Sequence, residues 1–192
     1  MEWLEILGTG IGLLYLYLEY RASVWLWIAG VIMPAIYIFV YYDAGLYADA
    51  GISVYYLLAS LYGLGCWLLS SRKGSRNEAS EGETNEGIGH IPGRLWWWLA
   101  GVVLLVTLLL GYILREFTDS SVPWADAFTT GLSVVAMWML ARKYVEQWLV
   151  WILADIGCAA LYLYKGLYFT GGLDGVYAVI AWFGYRRWSS EL

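Results

Sequence analysis

Long apolar runs recur along the chain, and short polar segments separate them. Seven runs are apolar throughout and approach the length of about 20 residues that crosses a bilayer as a helix. They lie at residues 3–18, 24–42, 47–69, 95–114, 123–141, 146–164 and 168–188. A helix satisfies its own backbone hydrogen bonds in lipid, and the runs lack the short alternation of membrane β-strands. The pattern predicts an all-α polytopic membrane protein with seven transmembrane helices.

Composition excludes an ordinary soluble domain and several kinds of chemistry. The chain is 61% hydrophobic and 14% charged, whereas globular chains are about half apolar and a quarter charged. Cys66 and Cys158 both fall in predicted spans, so we expect no disulfide framework. The chain contains no Walker loop, dinucleotide loop, metal-ligand cluster or nucleophile–base pair. We therefore expect neither an enzyme nor an ATP-driven pump, and no cofactor, metal or nucleic acid.

Lysine and arginine predict the orientation. Seven alternating spans place nine of the 11 on one side and leave only Arg115 and Lys165 on the other. Because cytoplasmic loops carry the excess of basic residues, we expect the N-terminus outside and the C-terminus in the cytoplasm. A bacterial inner membrane is the expected location. The longest polar stretch, residues 71–94, is expected to be a flexible cytoplasmic linker, and its His90 receives no role.

The chain repeats itself. Residues 1–67 align without a gap on residues 122–188, at an offset of 121, with fourteen identical pairs. Shared positions include Trp27/Trp148, Gly63/Gly184 and Trp67/Trp188.

The repeat predicts a parallel 3+1+3 arrangement. It consists of a first three-helix repeat (1–70), the linker (71–94), a connecting transmembrane helix and outer loop (95–121), and a second three-helix repeat (122–192). Two such bundles around a central cavity are typical of alternating-access transporters.

One face of the sixth span combines aromatic rings with a carboxylate. Trp148, Trp151 and Asp155 are spaced i, i+3, i+7 and share one side of a helix. Two rings beside a negative charge suit a flat, positively charged ligand. A carboxylate in mid-membrane costs a few kcal/mol, so Asp155 should face a cavity or a partner. A neutral Asp155 bonded to a Tyr or Ser is the structural alternative, and Trp148, shared with the first repeat, is also a framework candidate.

Other polar and aromatic positions are weaker candidates. Further lining residues are expected among Ser53, Tyr56, Tyr177 and Thr130. Cap or rim positions near the outer ends of spans are expected for Asp49, Asp126 and Asp174. Pro34 should kink the second span.

Several motifs together resemble the PnuC family of vitamin transporters, relatives of the SWEET sugar carriers. They are Gly45-Leu46-Tyr47-Ala48-Asp49, Ala141-Arg142-Lys143, Trp148-x-x-Trp151-x-x-x-Asp155, Tyr162-x-Tyr164-Lys165-Gly166-Leu167-Tyr168 and Gly184-Tyr185-x-x-Trp188. The resemblance spans the chain and implies facilitated uptake of nicotinamide riboside.

The sequence leaves more than one substrate possible. The nicotinamide riboside pattern that the resemblance implies has Asn at Asp155 and Gln at Ser53, and an ionised Asp only accepts hydrogen bonds. Thiamine, also cationic and aromatic, is a close second. A SWEET-like sugar carrier and a membrane protein that binds a ligand without transporting it are the alternatives. The expected partners are a small vitamin and the lipid bilayer, and a homo-oligomer is compatible with the sequence.

Overall fold

Seven helices account for nearly all of the chain that the computed structural model describes, which is residues 13–43, 47–77, 87–118, 121–164, 166 and 168–192. They are α1 (13–20 within the described part), α2 (Trp25–Asp43), α3 (Tyr47–Asn77), α4 (Gly93–Phe117), α5 (Pro123–Ala141), α6 (Gln147–Tyr164) and α7 (Tyr168–Ser189). The all-α prediction is confirmed, because these described ranges contain no β-strand. Residues 3–12 of the first predicted span lie outside them.

Most of the helix ends agree closely with the apolar runs, and α3 is the exception. It continues beyond the predicted end at residue 69 to Asn77. By length and composition, α4, α5 and α6 can each cross a membrane, and apolar stretches occupy Trp25–Ile36 of α2 and Ser53–Leu69 of α3.

The chain forms two compact units, Met1–Glu86 and Gly87–Leu192. In the first unit α2 packs on α3. In the second, α4 packs on α5, α5 on α6 and α6 on α7. The connecting helix α4 therefore belongs to the same unit as the three helices that follow it.

A tryptophan seated on a glycine joins α2 and α3 in the first unit. A Cβ atom built on Gly63 would lie 2.2 Å from Cη2 of the Trp27 ring, so only glycine lets this ring approach α3. The Trp27 ring also meets Trp67 edge-on, with centroids 5.7 Å apart and planes at 77°. Trp27 is fully buried. We call this arrangement the tryptophan seat.

The second unit contains the same seat between α6 and α7. A Cβ atom on Gly184 would lie 2.7 Å from Cε2 of Trp148. The Trp148 and Trp188 rings meet edge-on at 5.6 Å and 89°. All three positions are those of the first unit shifted by 121 residues. The sequence repeat is therefore a repeat of side-chain packing.

The turn that precedes each seat is also repeated. Ala22 (φ 47°) and Lys143 (φ 56°) adopt the left-handed conformation just after α1 and α5. The amides of Ala22 and Ser23 donate to Glu19 and Leu18 carbonyls, and the amides of Lys143 and Tyr144 donate to Leu140 and Met139 carbonyls. This is the Schellman pattern that satisfies the last carbonyls of a helix.

Part of the predicted flexible linker is ordered. Residues 87–92, which we call the strap, lie along the α5–α6 turn. The Gly89 amide donates to the Lys143 carbonyl at 3.1 Å, and the Val145 amide donates to the Gly89 carbonyl at 3.0 Å. The Ile91 amide donates to Glu146 Oε2 at 3.0 Å.

The strap corrects the sequence interpretation of residues 71–94. His90, to which the sequence assigns no role, has its Nδ1 2.8 Å from Glu146 Oε1. Ile91 is buried in the core of the second unit with Leu99, Leu132 and Val150. The stretch is thus helical up to Asn77 and anchored from Gly87 onward.

We expect Gly184→Ala to destabilise the second unit. The new methyl group would overlap a rigid indole ring, and such overpacking costs about 1–3 kcal/mol. The thermal unfolding of purified protein in detergent measures the effect. Gly63→Ala should behave alike. Gly175→Ala, on the same helix with no atom within 4 Å of its Cβ position, is the matched control. A Gly184→Ala protein as stable as this control would contradict the seat.

We expect Glu146→Ala to release the strap. The variant loses a hydrogen bond from the Ile91 amide and the contact with His90, and bonds to a charged group contribute about 1.5–3 kcal/mol each. Hydrogen exchange at the Ile91 amide should become faster. Glu191→Ala is the control, because Glu191 pairs with Arg187 at 3.2 Å in a contact that does not involve the strap. Unchanged exchange in Glu146→Ala would show that the backbone pairing alone holds the strap.

Candidate binding site

The predicted aromatic and acidic face of α6 separates into a fully buried framework part and a partly exposed part. Trp148 belongs to the framework, since its ring is fully buried in the seat with Gly184 and Trp188. It offers no free ring face in this structure. Trp151 and Asp155, which are only partly buried, are the members of the face that remain open to a ligand.

Trp151 packs against the core that α4, α5 and α6 share. Its indole Nε1 is buried and has no acceptor among the described residues. A buried N–H without a partner costs free energy, so this group is available to a ligand or water.

The internal repeat explains how so large a side chain fits at this position. In the first unit the equivalent residue is Gly30, where an added Cβ would lie 2.7 Å from Ser60 Oγ and 3.8 Å from the Tyr15 ring. The residues equivalent to Tyr15 and Ser60 are Ala136 and Ala181. Both are buried. Small residues on α5 and α7 thus accompany the large one on α6.

Two carboxylates from different helices lie within electrostatic reach of each other in the second unit. Asp155 on α6 and Asp174 on α7 lie close enough for their charges to repel each other when both are ionised. Tyr177, one turn after Asp174, lies within the field of both. Asp174 Oδ2 is buried and has no hydrogen-bond partner in the described part of the chain. The group has the negative charge and the free acceptor that a cation or a hydrogen-bond donor requires.

A third helix completes this polar region. Cys158, one turn after Asp155, lies beside Thr129 of α5 and within the electrostatic reach of Asp126, Asp155 and Asp174. The approach of α5 and α6 is close here, because a Cβ on Gly157 would lie 2.9 Å from Thr129 Cγ2. The hydroxyl of Thr130, a predicted lining residue, donates a hydrogen bond to the Asp126 carbonyl at 2.8 Å.

The other predicted lining residues belong to the first unit. Ser53 is buried, and Tyr56 is 37% exposed with its ring 5.5 Å from that of Tyr55. Tyr15 lies near Tyr56 and near the carboxylate of Glu19, and Glu19 is itself 1% exposed. The first unit therefore has its own buried polar group.

These groups are suited to recognise and bind a ligand. Within the described ranges no three His, Cys, Asp or Glu side chains are placed to hold a metal ion. Acceptors, an indole and a phenol are suited to bind an aromatic molecule with positive charge or donor groups.

Asp174, Thr129 and Cys158 are site residues that sequence reasoning missed. Asp174 was assigned to the rim by its place near the start of α7. A helical-face signal was present, since Asp155–Cys158 and Asp174–Tyr177 are both i, i+3 pairs. The sequence could not show that these two faces meet.

Comparisons with known proteins all match transporters. The model of the nicotinamide mononucleotide transporter family matches residues 2–190. A nicotinamide riboside transporter, PnuC of Escherichia coli, is 26% identical over 210 residues, which covers 98% of this chain and 85% of the relative. A riboflavin/roseoflavin transporter, RibM of Streptomyces davaonensis, is 24% identical over 97% of this chain and 84% of the relative. The crystal structure of a vitamin B3 transporter, PnuC, superposes with a TM-score of 0.67 at 21% identity, over 98% of this chain and 81% of that one.

We expect Asp174→Asn to stabilise the protein. The amide is uncharged and removes the repulsion from Asp155. A gain of about 1 kcal/mol raises the melting temperature of a chain of this size by 2–4 °C. Differential scanning fluorimetry at neutral pH measures it. Asp126→Asn is the matched control, because Asp126 lies in the first turn of α5, where a negative charge is favourable. A lower melting temperature for Asp174→Asn would mean that its carboxylate serves the frame.

Proposed function

This chain belongs to the nicotinamide mononucleotide transporter family, and from that membership we propose that it takes up a cationic, aromatic vitamin precursor by facilitated diffusion. The family and the relatives are transporters rather than enzymes. The chain is accordingly a multi-pass membrane transporter. We place it in the inner membrane of a bacterium with its N-terminus outside, as the distribution of lysine and arginine favours.

The pair of carboxylates beside Trp151 carries the proposal. Asp155 and Asp174 approach each other in the second unit. Two like charges held together are unfavourable in a protein interior unless something positive joins them or a proton neutralises one. A cationic ring would compensate this repulsion and offer its π-face to the indole of Trp151. Trp148 holds α6 against α7, which keeps Asp155 and Asp174 within electrostatic reach of each other.

Nicotinamide riboside is our first candidate, and thiamine is the second. Both contain a positively charged aromatic ring. The relative named for nicotinamide riboside supports the first, and the acidic Asp155 in place of an amide supports the second. The relative named for riboflavin and roseoflavin introduces a third ring system, which is larger and uncharged.

We propose that transport uses two repeats of three helices joined by α4. The repeated seats and turns support this arrangement, because they give the two repeats the same internal packing. Such repeats are typical of proteins that move two bodies around one site. Ser53 and Tyr56 are the lining residues we propose for the first repeat, and Thr130 and Tyr177 for the second. A sugar carrier would have less use for two partly buried carboxylates, and a ligand-binding protein without transport would have less use for a repeat.

We expect Asp155→Asn to lower the transport of cationic vitamins selectively. Counterflow into proteoliposomes should be measured with labelled nicotinamide riboside, thiamine and riboflavin. Loss of one charge-assisted contact corresponds to about a tenfold or greater loss of transport efficiency for the first two. Riboflavin is neutral and serves as the internal control. Equal transport of every vitamin by Asp155→Asn and wild type would remove Asp155 from the mechanism.

The same proteoliposomes test facilitated diffusion. With the membrane potential held at zero, uptake should stop when the inner and outer concentrations are equal, with or without a proton or sodium gradient. Accumulation against the substrate gradient would contradict uniport. Binding without counterflow would identify a ligand-binding protein instead.

A further inference from the structure

Gln147 is a buried polar residue that the frame does not use. It is the first residue of α6 and is 0% exposed. Its side-chain Oε1 and Nε2 are both buried and find no hydrogen-bond partner among the residues that the structure describes. An amide can make several hydrogen bonds, and burying it without any costs folding free energy.

The first unit provides an internal control for this position. The residue equivalent to Gln147 is Leu26, which is also 0% exposed. The local backbone is the same, because the Leu26 amide donates to Ser23 at 3.1 Å and the Gln147 amide donates to the equivalent Tyr144 at 3.2 Å. Each residue precedes the tryptophan of its seat. The frame therefore forms with an apolar side chain here, and the amide of Gln147 serves something other than packing.

Helix geometry places Gln147 on the face of α6 that carries the candidate site. Gln147, Trp151 and Asp155 are spaced i, i+4, i+8, so they form one stripe along the helix. Successive members are ~6 Å apart along the axis. An aromatic ring at Trp151 with a hydrogen-bond donor edge, such as a carboxamide, toward Asp155 would direct a chain attached at its other edge toward Gln147. A ring carrying a sugar or sugar-alcohol group has the length and the hydroxyls to reach that amide.

We propose that Gln147 binds the hydroxyl-bearing part of the substrate, and that it distinguishes a ring with a sugar chain from the ring alone. This rests on the proposed transport function and extends it to a residue at the opposite end of the stripe from Asp155. An amide that both donates and accepts matches adjacent hydroxyl groups, which do the same. The partners missing in the protein would then come from the substrate.

Competition in counterflow tests this proposal. Uptake of labelled nicotinamide riboside or riboflavin, whichever the wild type exchanges, is inhibited by the same compound or by its ring alone, nicotinamide or lumichrome. In Gln147→Leu we expect the inhibition constant of the sugar-bearing compound to rise about tenfold. The inhibition constant of the bare ring should stay unchanged, so the preference for the sugar-bearing compound over the bare ring falls about tenfold. An unchanged ratio would overturn the proposal and indicate that Gln147 binds only structural water.

Thermal unfolding provides the second readout. Gln147→Leu should be at least as stable as wild type, because it copies Leu26. Leu26→Gln is the matched reverse variant, and it should be less stable because it adds an unpartnered amide. A clear loss of stability in Gln147→Leu would overturn the proposal by showing that the amide serves the frame. A wild type that exchanges neither of these vitamins nor thiamine would overturn the proposed function together with this inference. Exchange of thiamine alone, or normal exchange with an unchanged ratio, would overturn this inference alone.

Discussion

The contact between an indole ring and a bare glycine backbone is the constraint on which the rest of each unit depends. Trp27 on Gly63 and Trp148 on Gly184 bring two helices closer than any side chain at the glycine would permit. In lipid no hydrophobic force drives helices together, so close packing at small residues is the main source of association. Each ring is also held edge-on by a second tryptophan. This rigid seat fixes the rotation of α6 about its axis, and thereby the direction of every other side chain on it.

A rigid seat allows the neighbouring residues to diverge between the units. The first unit combines Gly30 with Tyr15 and Ser60, and the second combines Trp151 with Ala136 and Ala181. The large side chain is Tyr15 on the first helix of the repeat in the first unit, and Trp151 on the second helix of the repeat in the second unit. The residues that form the seat are the same in both units. The helices thus keep their packing while the polar and aromatic groups between them differ. A repeat protein that binds an asymmetric molecule needs this separation of frame from lining.

The sequence predicts the frame better than the site, for physical reasons that particular residues illustrate. The helices were predictable because the bilayer requires long apolar runs. The repeat places Trp27, Gly63 and Trp67 in register with identical second-half residues, but it does not predict that they pack together as a seat. The meeting of Asp155 with Asp174 was not predictable, since it depends on the rotation of α7 against α6. The strap was missed because composition measures the tendency to fold alone. Residues 87–92 are ordered by backbone pairing with the α5–α6 turn and by the Glu146 carboxylate.

The same comparison of repeats separates structural from functional polar groups without any alignment of relatives. A polar residue whose counterpart is equally buried and apolar is not needed for packing, and Gln147 opposite Leu26 meets this condition. In the first unit the buried polar residue is Glu19, and its counterpart in the second unit, Leu140, is apolar and also fully buried. Among the described residues, each unit therefore contains at least one polar group where the other repeat shows that an apolar group suffices. Burial of such groups lowers stability, so each repeat retains polar side chains that packing alone does not require.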